Sequence, residues 1–438
     1  MTLNDLQNDA PPLLCRICRR FREVAVSTPR LWTSLMFNVH TLSGAHFSAG
    51  AKRAYVDFWG LWLSRAGSLS LSVVWEGSGR VDLEDPLLST IVGSSGQWRT
   101  LDISQTPDIW QDVSHNFLDS GSLAGKLPLL EELTLVAPTA VILPDAPKLR
   151  VLYLELAPFT PMTTSFSQIQ LPWHQLANVR VGWSDIPLFG EILRNSTNLL
   201  QASFGLHRGE PPALPVSIIG HGRLQRLALK MTADDVVGDR DQQAIPLTIL
   251  DWLEMPHLTE LIVVLPYRPL VGTLTPLVSF LSHSALRLRT LALSLCYSPP
   301  ARTIIMENML ECLKLASSLA HLKLKSSLMD MDDLFAWLVG DTDFLPRLET
   351  FDLVSAGSYS DSSLTPSLVV EMLCWRWVAV GITQLKSFRL VHYYPPKPPL
   401  ASFLDLLKYD SEFQRLEREG MLLYTGHWTR DTDDFWSF

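Results

Sequence analysis

An apolar phrase with residues at its first, fourth and sixth places recurs through this chain, and few folds can accommodate it. The run LPRLETFDL shows it most plainly, at Leu348, Phe351 and Leu353. The same spacing occurs at Trp98/Leu101/Ile103, Leu130/Leu133/Leu135, Leu149/Leu152/Leu154, Leu176/Val179/Val181, Leu199/Ala202/Phe204 and Leu224/Leu227/Leu229. It continues at Leu258/Leu261/Val263, Leu288/Leu291/Leu293, Leu319/Leu322/Leu324 and Leu385/Phe388/Leu390. Eleven copies therefore run from residue 98 to residue 385, at a mean interval of about 29 residues. Places four and six share one face of an extended strand, because side chains two apart point the same way. Place one belongs to the turn leading in.

One such unit cannot fold alone. Three buried aliphatic side chains contribute roughly 1.5–3 kcal/mol each, whereas ordering about thirty backbones costs on the order of 1–2 kcal/mol per residue. Stacking the units lets each apolar row meet the next, with a helical layer behind it. Period and phrase thus predict an α/β leucine-rich-repeat solenoid, a curved parallel sheet with outer helices, over residues 68–394. Helix-length stretches at 187–195, 247–253, 274–281, 304–315 and 332–339 supply the outer layer, and Ser68 to Val73 alternates as its first strand. The ninth place, Asn or Cys in regular repeats of this kind, is Pro138, Ala157, Pro266 and Ala356 in four copies, with Cys296 the exception. Without that side-chain ladder the turns must satisfy their backbone groups in other ways, so the solenoid is expected to be irregular.

Several function classes are excluded on composition. A net charge of −9 gives no general attraction to nucleic acid. The best apolar segment, Leu368 to Ile382, is interrupted by Glu371 and Arg376, so no membrane span is expected. The start MTLNDLQNDAPP lacks the basic and apolar regions of a secretory signal, which predicts a cytoplasmic or nuclear protein. Five cysteines do not make a disulfide framework, and the lone Cys15/Cys18 pair lacks two further zinc ligands. Phosphate-binding glycine loops, HExxH and GxSxG are all missing. No catalytic residue, metal or cofactor is expected.

The N-terminus reads as a separate element. Leu14, Ile17, Cys18, Phe21, Val24 and Ala25 recur at helical steps over 12–26, and Ser27-Thr28-Pro29 is a helix stop and restart. Arg30-Leu31-Trp32 and Leu35 form a short second apolar element. The run LLCRICRRFREVAVSTPRLWTSL, Leu13 to Leu35, resembles the second half of the F-box of mushroom-type (basidiomycete) F-box/leucine-rich-repeat proteins. Those read C-R-x-W/F-R-x-x-A and then S-T-P-x-L-W; Cys18-Arg19, Phe21-Arg22, Ala25, Ser27-Thr28-Pro29 and Leu31-Trp32 match. A full F-box opens with a Leu-Pro-x-Glu helix, and only Met1 to Pro11 stand ahead of the matching half here, so the resemblance is to an N-terminally truncated F-box. It extends into the repeats, as in SFLSHSALRLRTLALS and MLECLKLASSLAHLKL.

The resemblance implies a helical F-box remnant over 1–40, a connecting helix over 41–67 and the solenoid over 68–394. A linker, helix and tail over 395–438 follow, with a Pro-rich run at 394–399, a helix over 400–419 and a stop at Gly420. It also implies a role as the substrate-recognition subunit of a cullin-RING (SCF-type) ubiquitin ligase. Leu13, Leu14, Ile17, Phe21 and Trp32 would meet the Skp-type adaptor, and a protein substrate would meet the repeats. A stand-alone interaction scaffold without adaptor binding is the alternative. The periodicity adds substrate-side candidates, because residues flanking the inward pair face outward: Glu132, Tyr153, Arg180, Arg226, Glu260, Lys323, Asp352 and Arg389.

Overall fold

A computed structural model describes residues 11–38, 49–76, 86–103, 127–136, 141–143, 146–156, 169–206, 218–231, 247–265, 274–295, 302–326, 331–355, 365–392 and 406–427. The ninth places named above, the Pro-rich run at 394–399 and the terminal DTDDFWSF lie outside these residues. The chain forms two compact units, Met1–Trp183 with Glu191–Leu199 and Ser184–Gly190 with Leu200–Phe438.

In the first unit, helices α1 (Pro12–Ile17) and α2 (Arg19–Ser27) replace the single helix expected over 12–26, because Cys18 between them is fully extended. Pro12 opens α1, where its missing N–H is no loss. The Arg22 guanidinium donates to the Cys15 carbonyl at 2.8 Å, satisfying an acceptor that the end of α1 leaves free of helical partners. A 3₁₀ turn over Pro29–Trp32 then leads into strand β1 (Ser34–Asn38). The parallel sheet therefore starts at Ser34, well ahead of residue 68. The cause is legible in hindsight: Trp32/Leu35/Phe37 is a further copy of the six-place phrase, and all three side chains are buried.

Helix α3 (Ala49–Ala66) forms as expected and turns Tyr55, Trp59, Trp62 and Ala66 inward. Next come β2 (Leu71–Glu76), α4 (Pro86–Gly93), β3 (Trp98–Ile103), β4 (Glu132–Val136), β5 (Val141–Ile142), β6 (Val151–Glu155), β7 (Ile169–Gln170) and β8 (Asn178–Ser184). Strand β2 begins three residues later than the alternation at Ser68 suggested. Its inward residues are Leu71, Val73 and Trp75, and a register shift between Leu71 and Ser72 takes up the residue by which its phrase falls short. Strands β1, β2, β3, β4, β6 and β8 pair in that order, all parallel, and β5 pairs with β7.

Helix α5 (Ile186–Asn195) is divided between the two units at Gly190/Glu191; the second unit then has β9 (Gln201–Leu206), β10 (Ile219–Gly220), β11 (Arg226–Met231), a 3₁₀ turn at Leu247–Trp252, β12 (Leu253–Glu254) and β13 (Glu260–Val264). From there strand and helix alternate strictly: α6 (Thr275–Ser284), β14 (Thr290–Leu295), α7 (Arg302–Leu315), β15 (His321–Ser326), α8 (Asp332–Gly340) and β16 (Thr350–Ser355). The series ends with α9 (Pro366–Val378), β17 (Ser387–His392), α10 (Ser411–Arg418) and β18 (Leu422–His427). Strands β9, β11, β13, β14, β15, β16, β17 and β18 are parallel neighbours in that order. The expected helix over 400–419 is broken at Asp410, whose carboxylate accepts from the Glu412 and Phe413 N–H groups and caps α10. Helix α9, which periodicity had not singled out, is buried on Val369, Val370, Met372 and Leu373.

The phrase explains the register. All its places in the eleven copies are at most 4% exposed. The fourth places form one ladder in the first unit, Val73, Leu101, Leu133, Leu152 and Val179. In the second unit they run Ala202, Leu227, Leu261, Leu291, Leu322, Phe351 and Phe388. Helices cover this side, as where Phe335 of α8 meets the Phe351 and Phe388 rings at 5.9 and 6.5 Å between centroids. A second device repeats beside it. The carbonyl at the second place accepts two N–H groups from the next unit, as Ala320 does from Glu349 and Thr350, and Arg289 from Ala320 and His321. In place of an Asn ladder, polar side chains just ahead of a phrase reach back to the preceding turn: Gln175 to the Ala146 carbonyl, Asn198 to that of His174, Ser318 to that of Leu288. The mixed α/β fold with long parallel strand rows and a helical layer is thus solenoid-like.

Candidate interaction surfaces

At the N-terminal end an aromatic cluster fixes α3 over the first strands. The Trp32 indole donates to the Ala25 carbonyl at 2.7 Å and meets the Trp62 ring edge-on at 5.0 Å. The Trp62 indole in turn donates to the Trp32 carbonyl at 2.7 Å, and the Arg65 guanidinium lies 4.4 Å from the Trp32 ring centre. Phe37 packs on Trp59 at 4.4 Å.

This cluster sorts the five adaptor-side candidates. Trp32, at 1% exposed, is a core residue of the first strand's turn and presents nothing to a partner. Leu14 is half-buried. Leu13, Ile17 and Phe21 are exposed, Ile17 at 56% and Phe21 at 49%. Val24, Val26 and Leu31 extend the same apolar exposure along α2 and the following turn. Exposed apolar side chains this dense on two short helices are unusual for a solvated surface. Around them stand Arg16, Arg19, Arg20 and Arg30, all exposed, against one carboxylate among the described residues of this segment, Glu23, which pairs with Arg19 at 2.8 Å. The result is an apolar, basic surface in an otherwise acidic chain.

The strand rows form the other surface. In the first unit the fifth places line up as Met36, Val74, Asp102, Thr134, Tyr153 and Arg180. Tyr153 and Arg180 are therefore neighbours, while Glu132 stands one row away beside Thr100 and Val151. Periodicity missed Asp102, whose Oδ1 is buried with no hydrogen-bond partner among the described residues.

In the second unit the fifth places run Ser203, Ala228, Ile262, Ala292, Lys323, Asp352, Arg389 and Tyr424. The substrate-side candidates Lys323, Asp352 and Arg389 thus come together on three adjacent strands. Arg226 and Glu260 form a separate pair at 3.4 Å in the third-place row. Burial pushes the Asp352 carboxyl above its usual range, and Lys323, Arg389 and His321 partly offset this. His321 shares a 2.8 Å hydrogen bond with the Thr350 hydroxyl, and Arg389 lies 5.2 Å from the Tyr424 ring centre. Ala228, Ile262 and Ala292, with Val264 beside them, make a small apolar cluster on this face. Lys230 and Lys325 at the seventh places also flank the inward pair and belong to this face, beyond the candidates named from the sequence.

Among the described residues no group of three or more His, Cys, Asp or Glu side chains could hold a metal ion, and no helix is long and apolar enough to cross a membrane. Burial holds the Cys312 thiol protonated, pushing it up to about 12. Compared with models of known protein families and with curated proteins, the chain gives no match.

Proposed function

We propose that this protein is an F-box/leucine-rich-repeat type substrate-recognition subunit of a cullin-RING ubiquitin ligase, binding rather than transforming its target, in the cytoplasm or nucleus. The observation that carries the reading is the exposed apolar surface of α1 and α2 at one end of a repeat fold. Leu13, Ile17 and Phe21 stand in the segment resembling an F-box, and their exposure leaves apolar area that a partner would bury. Trp32 drops out of the adaptor set and takes a structural role. A Skp-type adaptor would dock on α1 and α2, and a protein substrate on the outward strand rows.

Co-elution of the purified chain with a Skp-type adaptor on a sizing column tests this. A complex is expected, and Ile17→Asp with Phe21→Asp should abolish it without unfolding the chain, since both side chains are exposed. Folded protein that does not co-elute would remove the ligase role. A second reading, a stand-alone interaction scaffold, would then stand on the outward rows, which are rigidly spaced by the strand register whether or not an adaptor binds.

A further inference from the structure

The outward rows of the second unit differ in charge from the chain that carries them. The third, fifth and seventh places of β9, β11 and β13–β17 hold five cations, Arg226, Lys230, Lys323, Lys325 and Arg389, and two carboxylates, Glu260 and Asp352. These places among the described residues therefore sum to +3 in a protein of net −9. The positive charge is concentrated at one place. Lys323 and Lys325 lie two residues apart on β15, Arg389 lies two strands away on β17, and Asp352 stands on β16 between Lys323 and Arg389. Strand spacing of about 4.8 Å puts the Lys323 and Arg389 backbones roughly 10 Å apart. His321 borders the group in the next row.

We propose that this cluster is the recognition site for an acidic segment of a protein partner, with carboxylate side chains two or three residues apart in an extended chain. Such a chain spaces same-face side chains by about 7 Å, so successive acidic groups reach Lys323, Lys325 and Arg389 in turn. Asp352 sets the limit of the site. Its carboxylate stands on the strand between the cations, attracts Lys323 and Arg389, and repels any further carboxylate brought onto the site. Nucleic acid fits less well. A strand-tracking site needs a continuous basic groove with several stacking aromatics, whereas Glu260 and Asp352 interrupt this one, and Tyr424 is the only aromatic in these rows among the described residues. The inference rests on the outward rows being the partner-binding face, as in the function proposed above, and adds the chemistry of the partner.

The probe is a fluorescein-labelled octapeptide of alternating Glu and Ala, titrated by anisotropy into the full chain, with octalysine and an octauridylate as controls. Saturable binding of the acidic peptide alone is expected, weakening several-fold between about 50 and 200 mM salt. Lys323→Gln with Lys325→Gln should weaken it about tenfold. Asp352→Asn should strengthen it several-fold, a gain that a damaged fold cannot produce. Failure of the acidic peptide to bind, tighter binding of octauridylate, or affinity unmoved by both variants would overturn the proposal. Adaptor co-elution through α1 and α2 is independent of these residues, so a complex that forms while the peptide fails refutes the acidic-partner chemistry alone.

Discussion

Arg376 offers the sharpest test of how the C-terminal repeats hold together. It stands on α9, is fully buried, and among the described residues meets no carboxylate within hydrogen-bond distance; its fork is spent on backbone. Nε donates to the Leu338 carbonyl at 3.0 Å, Nη1 to that of Leu345 at 2.9 Å and Nη2 to that of Phe344 at 2.5 Å. Leu338 lies in the last turn of α8, where carbonyls lack helical donors, and Leu345 has a left-handed backbone at φ 51° that a non-glycine residue adopts only under constraint. One side chain thus caps a helix and pins a strained turn one repeat away. Burial depresses its pKa from 12.5 to about 10, which corresponds to a charging cost on the order of 3 kcal/mol. Hydrogen bonds to a charged group are worth about 1.5–3 kcal/mol each, so three of them offset that cost. Arg376→Met keeps the aliphatic volume but orphans three buried carbonyls, and should lose about 3–5 kcal/mol. Arg376→Lys, without the planar fork, should lose roughly half as much. Both states remain protonated below about pH 10, so the loss should be constant from about pH 6 to 9. Urea unfolding gives the total, and hydrogen exchange over 332–348 shows where it falls, since repeat proteins can open locally. An Arg376→Met variant within about 0.5 kcal/mol of wild type, with unchanged exchange in that segment, would refute the assignment.

Trp32→Ala should destabilise the N-terminal end by about 3–5 kcal/mol, read as protease sensitivity around 12–66, because it empties the centre of the Trp32–Trp62 cluster. Cys18 should react with a thiol reagent in the folded protein, while Cys312 reacts at least about a hundredfold more slowly until the chain unfolds. Asp352→Asn should raise the urea midpoint at neutral pH. A carboxyl whose folded pKa lies above its unfolded value costs stability once ionised, so the advantage should shrink as pH falls through the raised folded pKa and vanish below about 4. Leu322→Ala should cost about 2–5 kcal/mol while Lys323→Gln, one residue on, costs under about 1 kcal/mol, by chemical denaturation.

Eleven strands were legible because their phrases kept the six-place spacing, and β2 was legible from its alternation, placed three residues early; β1 and β18 were not. Trp32/Leu35/Phe37 had the spacing but lay in a segment read as helical. Strand β2 is a residue short, absorbed by its register shift. Strand β18 places Gly420, Leu423 and Thr425 at the three positions, so little apolar signal remains; among the described residues it pairs with β17 alone and leaves Leu422 and Tyr424 exposed. Helix α9 escaped for the opposite reason, since Arg376 looked like an interruption of an apolar stretch and is its anchor. On the candidate site, periodicity located the outward face, and Arg226 with Glu260 and Lys323 with Asp352 and Arg389 did prove adjacent. Which candidates meet depends on which strands are neighbours and in what register, and that pairing is a tertiary property.

The contrast between Leu322 and Lys323 bears on how such a chain acquires a function. Register is specified twice on the inward side, by the apolar ladder and by the second-place carbonyls that each accept two N–H groups from the next repeat. Neither device involves the side chains at the third, fifth and seventh places. Those places can therefore change charge and size without moving the backbone that spaces them, strand by strand at about 4.8 Å. The exceptions are positions where an outward side chain has become buried, as with Val354, Val391 and the Ala228–Ile262–Ala292 cluster, and there substitution is again limited by packing. In the same rows as those apolar positions, Lys323, Lys325, Asp352 and Arg389 remain partly exposed. What the strand register gives these side chains is a fixed spacing of charge that a partner of opposite sign can match.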